Sequence, residues 1–96
     1  MNITIGTIAK LKVPCMGNPI GTVGFCYEVY HLDRVGYSFI FENGEYSGFS
    51  SDEIEPFLKI VGRTDLDYNF TNVMKLSRDY DNGYFNNMFK NTKGLM

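Results

Sequence analysis

Apolar positions at the start of the chain alternate unevenly. Ile3 and Ile5 come first, then Ala9, Leu11 and Val13, with Gly6-Thr7 between them. A Gly inside a strand pattern marks a bulge or bend, so two short extended pieces are expected, with Lys10 and Lys12 turned to water. Pro14 to Gly21 holds two Pro and two Gly and reads as a loop. From Thr22 to Tyr30 the alternation is clean: Val23, Phe25, Tyr27 and Val29 share one face, and Gly24, Cys26, Glu28 and Tyr30 the other. His31 to Gly36 is a polar connection. Tyr37 to Glu42 and Glu45 to Phe49 are then the arms of a hairpin about Asn43-Gly44.

Asn and Gly both tolerate the positive φ of a type I′ turn, so a two-residue loop is expected. That loop pairs Glu42 with Glu45, Phe41 with Tyr46, Ile40 with Ser47 and Phe39 with Gly48. The Phe41–Tyr46 pair is worth a few tenths to about 1 kcal/mol, and the Glu42–Glu45 pair opposes it at a solvated tip. Phe39 and Phe41 then fill an interior beside Tyr46.

Ser50 with Glu53 three residues on is a capping box. Pro56 would be sixth in the helix it opens, at a cost of about 3 kcal/mol. The expected result is one short turn over 51–54, followed by a strand or a second helix over 56–61 that ends at Gly62. Phe70, Val73, Leu76, Ser77 and Tyr80 recur at helical intervals, with Asn69 or Thr71 as cap. Asp81-Asn82-Gly83 breaks the chain, and Tyr84, Phe85, Met88 and Phe89 suggest a second short helix. The rival reading makes 81–83 a hairpin loop. Residues 91–96 are expected to fray.

Composition adds that the chain, 96 residues long, is sized for one domain and unusually aromatic, with eight Phe, seven Tyr and no Trp. A net charge of −2 argues against affinity founded on phosphate neutralisation. Acidic residues concentrate in 50–67 and basic ones in 68–96, which reads as solvated surface or as two docking surfaces of opposite sign. Met1 to Leu11 lacks a basic leader with a long apolar stretch, and no run approaches the roughly 18 apolar residues of a membrane span. A cytoplasmic protein with Cys15 and Cys26 as free thiols is the expectation. On that expectation the glycosylation patterns at Asn2-Ile3-Thr4 and Asn69-Phe70-Thr71 are chance matches.

The order is strand, long loop, strand, short loop, strand, tight turn, strand, helical turn, strand. Carried by Lys10 to Val13, the Pro14–Gly21 loop, Gly21-Thr22-Val23-Gly24-Phe25, the Asn43-Gly44 hairpin and Phe49-Ser50-Ser51-Asp52-Glu53-Ile54-Glu55-Pro56, this layout resembles the SH3-like small β-barrel. The resemblance covers about residues 8–61 and implies an α+β fold of about five barrel strands, with a helical extension over 70–90. The chain has no Trp, unlike peptide-binding SH3 domains. The Phe-Glu-Asn-Gly and Gly-Phe-Ser-x-x-Glu run also resembles small bacterial and phage proteins that carry no assigned activity.

Candidate chemistry is sparse. His31 is the sole histidine, and pairing it with Cys26 would need the following loop to fold back. Cys15, Cys26 and His31 lack the close-spaced pairs of a zinc site. The Gly-rich stretches contain no phosphate-loop lysine or dinucleotide fingerprint. No catalytic residue, cofactor or metal is therefore expected. The aromatic surplus points instead to a protein-interaction module, a small regulatory or inhibitory protein of a bacterium or mobile element. Tyr30, Tyr46 and Phe49 at the barrel rim, with Glu45 and Asp52 beside them, would meet a basic protein partner. A nucleic-acid-associated barrel is the alternative, and an enzyme of unknown type comes behind both.

Overall fold

The computed structural model describes residues 3–92. Its elements are β1 (Thr7–Leu11), β2 (Val23–His31), β3 (Val35–Phe41), β4 (Tyr46–Ser50), α1 (Ser51–Phe57), β5 (Leu58–Arg63), α2 (Val73–Asp81) and α3 (Asn86–Thr92). The class is α+β. All five strands form one antiparallel sheet in the order β4-β3-β2-β1-β5. The two edges, β4 and β5, do not pair with each other, so the sheet is open where a closed barrel was expected. α1 carries the chain from the β4 edge to the opposite one, where β5 joins β1.

An open sheet with two apolar faces needs a cover on each. One face presents Ile8, Val23, Phe25, Tyr27 and Ile40, packed against Leu76 of α2, Phe85, Met88 and Phe89 about α3, and Tyr68 of the preceding segment. The other presents Ala9, Leu11, Cys26, Phe39, Phe41, Phe49 and Leu58, with Ile3 and Ile54 of α1 over them.

The hairpin differs from its expected form by one residue. The Gly44 amide donates to the Phe41 carbonyl at 2.9 Å, and the Phe41 amide to the Glu45 carbonyl at 2.9 Å. Gly44 has φ +89°, while Asn43 is not among the residues of positive φ. The loop is therefore Glu42-Asn43-Gly44, a turn closed by a left-handed Gly, and not a two-residue I′ turn. Pairing becomes Ile40↔Tyr46, Phe39↔Ser47, Ser38↔Gly48 and Tyr37↔Phe49. The side chain of Asn43 holds this form. Its Oδ1 accepts from the Glu45 amide at 3.0 Å and from Asn18 Nδ2 at 3.1 Å, while its Nδ2 donates to the Met16 carbonyl at 3.2 Å. A one-residue slip exchanges the faces of a strand. Tyr46 accordingly leaves Phe41, and Phe49 takes its place, at 6.0 Å from Phe39 and 6.3 Å from Phe41 between ring centroids.

Pro56 lies inside α1, against the expectation of a split. The proline removes only the bond to the Asp52 carbonyl, beside an exposed side chain, and the helix ends one residue later. The Ser50 amide donates to Glu53 Oε1 at 2.9 Å, as the capping box requires. Residues 58–63 are strand and run through Gly62. α2 starts at Val73 and not at Phe70, because Asn72 is the cap, its Oδ1 accepting from the Lys75 amide at 2.8 Å. Phe70 lies ahead of the helix and packs on Tyr27, 4.8 Å away between ring centroids. Residues 81–83 join two helices, which sets aside the hairpin rival. Asn91 and Thr92 belong to α3, and the rest of the stretch expected to fray lies outside the described residues, as does Asn2. Among the described residues no helix is long and apolar enough to cross a membrane.

Candidate functional site

A bulge in β2 decides what the uncovered part of the sheet presents. Cys26 pairs with Phe39, but the next pair is Glu28 with Ser38, leaving Tyr27 as the extra residue. A bulge reverses the facing of everything beyond it. Val29 therefore joins the Cys26 face, while Glu28 and Tyr30 join Phe25 and Tyr27, contrary to the clean alternation expected. On this same face β3 offers Gly36 and Ser38, and the shifted hairpin adds Tyr46 and Gly48 from β4.

Two glycines make the floor. A Cβ at Gly36 would lie 2.1 Å from Tyr30 Cζ, and one at Gly48 would lie 2.9 Å from the Tyr30 hydroxyl. Tyr30 thus lies across β3 toward β4, where side chains on those strands would have lifted it away. Above this floor is a groove of about 620 Å³ lined by Tyr27, Glu28, Tyr30, Leu32, Ser38 and Tyr46 with Ser47 and Gly48. On the other side of Tyr46 a second hollow of about 420 Å³ is lined by Val73, Met74, Ser77, Arg78 and Asp81 of α2. Tyr46 is the ridge between them. Leu32 is 83 % exposed, Met74 74 %, Val73 42 % and Tyr46 39 %, so large apolar side chains surround the ridge without cover.

The polar groups are few. Ser38 Oγ donates to Glu28 Oε1 at 3.3 Å. Burial pushes the Tyr27 phenol up to about 12, with the Glu28 charge adding to the rise, so it stays protonated at neutral pH. Of the charged groups that line the two hollows, Glu28 and Asp81 stand against Arg78. Arg34 and Asp52 pair with each other at 3.7 Å.

Of the residues expected to meet a partner, the fold brings Tyr30 and Tyr46 into one groove. Glu45 is exposed immediately before β4, and Asp52 is exposed in the first turn of α1. Phe49 is a correction. It is 4 % exposed on the opposite face, packed on Phe39, Phe41 and Phe57. The expected set missed Tyr27, Leu32, Ser38, Val73 and Met74. The bulge that gathers the first of these has no signature in the chain; Gly36 and Gly48, two glycines in neighbouring arms, were the available sign that a ring lies across them.

The chemistry considered for the cysteines and histidine is set apart in space. Cys26 is fully buried on the inner face, its thiol pushed up to about 12 by burial, and its Sγ donates to the Glu28 carbonyl at 3.5 Å. His31 lies exposed at the end of the same strand, roughly 16 Å along the chain at about 3.3 Å per residue. Among the described residues no three His, Cys, Asp or Glu side chains gather as a metal site. Comparison with protein-family models, with curated proteins and with solved structures finds no match.

Proposed function

We propose that this chain is a non-enzymatic protein-interaction module that docks a basic segment of a partner protein over the Tyr46 ridge. One observation carries the reading: Tyr30, Leu32, Tyr46, Val73 and Met74 form an uncovered apolar and phenolic surface with carboxylates at its margin. Tyrosines at the centre of a contact supply large area at low entropic cost, and a polar rim excludes water around them. The excess of carboxylates favours lysines and arginines in the partner. An SH3-like ancestry is supported by the strand order and by α1 standing between β4 and β5. A small regulatory or inhibitory protein is the role proposed for such a module.

Nucleic acid is the weaker partner. Lys12 sits 3.5 Å from Glu55 and Lys75 2.8 Å from Asp79, so these ammonium groups already face carboxylates. The test is retention of a partner from the source cell on immobilised protein, run beside Tyr46→Ala and Met74→Ala. Loss of the same retained protein in both variants, with unchanged circular dichroism, supports docking on the ridge. Retention indifferent to both, or retention of nucleic acid that salt and charge removal at Lys10, Lys12, Lys75 and Arg78 abolish, overturns it.

A further inference from the structure

We infer that the open edge of β4 takes an extended, lysine- or arginine-bearing segment of the partner as a sixth strand, an inference that rests on the docking reading above. The ladder itself indicates which groups of β4 its neighbour β3 does not take. The Phe41 amide bonds the Glu45 carbonyl, and pairing runs Phe39↔Ser47 and Tyr37↔Phe49. In an antiparallel pair, hydrogen-bonded and non-bonded positions alternate, so the N–H and C=O groups of Tyr46 and Gly48 point away from β3. Tyr46 and Gly48 are also exposed, so solvent reaches both residues.

The two edges of the sheet are treated differently. β5 carries Lys59 and Arg63, charges of the kind that keep an edge from pairing with another chain. β4 reads Tyr-Ser-Gly-Phe-Ser, with no charge and no Pro. The carboxylates come at its ends instead, Glu45 immediately before it and Asp52 two residues beyond. Asp52 is shared with Arg34, but both side chains are largely exposed and such a pair exchanges readily in water. A strand laid along this edge finds backbone partners at Tyr46 and Gly48. On the groove side its side chains meet the Tyr46 ridge, and its cations face a carboxylate at either end. Main-chain bonding would supply affinity and the alternate side chains specificity.

The probe is a fluorescein-labelled peptide of about nine residues alternating Lys and Val. Two further versions carry N-methyl groups on the odd or on the even backbone amides. The expected result is binding by the plain peptide, loss of about tenfold or more in affinity for one methylated set only, and amide exchange slowed about tenfold at Tyr46 and Gly48. Binding that weakens in Tyr46→Ala, yet is equally indifferent to both methyl sets and leaves both amides unprotected, overturns the sixth strand while the docking reading stands. No binding at about 1 mM peptide, weaker than any useful contact, overturns the docking reading and the sixth strand with it. If the Tyr46 and Gly48 amides are already protected without peptide and lose that protection on dilution, the edge belongs to a second copy of this chain and the inference falls.

Discussion

Exchanging the roles of two neighbouring aromatics is the sharpest consequence of the hairpin register, and truncating each in turn reads it out. Phe49 is 4 % exposed and touches three other phenylalanine rings at 6.0–6.3 Å between centroids. Burying a ring of roughly 150–250 Å² at about 25 cal/mol per Å² is worth about 4–6 kcal/mol as an upper bound. Large-to-small changes at such sites cost about 3–5 kcal/mol. Phe49→Ala should therefore lose about 4 kcal/mol, a large share of the roughly 5–15 kcal/mol that holds a domain together. At about 4–8 °C per kcal/mol, the midpoint falls by about 16–32 °C. Tyr46 is 39 % exposed, so by the same area measure less is lost, and Tyr46→Ala should cost about 1–2 kcal/mol, well under the loss at Phe49. Urea unfolding followed by circular dichroism at 222 nm measures both, and Phe49→Leu provides an intermediate loss should Phe49→Ala be too unstable to purify. A larger loss for Tyr46→Ala than for Phe49→Ala would restore the two-residue turn and refute the register, the face assignment of β4 and the groove together.

Three further outcomes follow from single contacts. Gly44 has φ +89°, and a Cβ there would lie 2.8 Å from the Tyr80 ring, whose hydroxyl donates to the Glu42 carbonyl. Gly44→Ala should cost about 1–3 kcal/mol, and a double-mutant cycle with Tyr80→Ala should recover the part due to the ring. Gly36→Ala must displace the Tyr30 ring, so NMR contacts between Tyr30 and Gly48 should vanish while the midpoint moves little; persistence of those contacts would contradict the floor described for the groove. Asp79 Oδ2 accepts from both Lys75 Nζ and the Tyr68 hydroxyl at 2.8 Å, bonds that hold its carboxyl below the usual range. A depressed carboxylate contributes stability above its unfolded pKa that disappears as pH falls through the folded one, so the difference between wild type and Asp79→Asn should close below about pH 4. Tyr68 is shifted upward by burial and by that same bond, so its contribution is full below about pH 10 and is lost as pH rises beyond it. An Asp79→Asn variant whose deficit persisted unchanged to pH 2 would contradict the role given to these two bonds.

Much of the layout was legible in the chain because it rests on local signals. Alternation over residues 23–30 marked β2, the Ser50–Glu53 pair marked the start of α1, and the i, i+4 aromatics at 84–89 marked the approach to α3. What escaped was decided by bonds between distant segments. Asn43 reaches the loop at Met16 and Asn18, which selects a turn that Asn-Gly chemistry alone did not favour. Tyr27 bulges out of a strand whose polar alternation is unbroken, and that single insertion carries Glu28 and Tyr30 to the groove face. Pro56 was read as a breaker, yet it removes a single bond one residue before a seven-residue helix ends. The groove was half legible for the same reason. Tyr30 and Tyr46 were expected together, but Val73 and Met74 come from a helix whose docking no periodicity specified, and Phe49 followed the register to the other face.

Backbone amide NMR of the ¹⁵N-labelled protein, titrated with the alternating Lys-Val peptide, shows whether a partner sits on the face around Tyr46. Shifts should gather at Tyr27, Tyr30, Ser38, Tyr46 and Gly48, continuing to Val73 and Met74 on α2. Shifts gathered instead along β1 and β5, about Lys10 and Lys59, would contradict that placement.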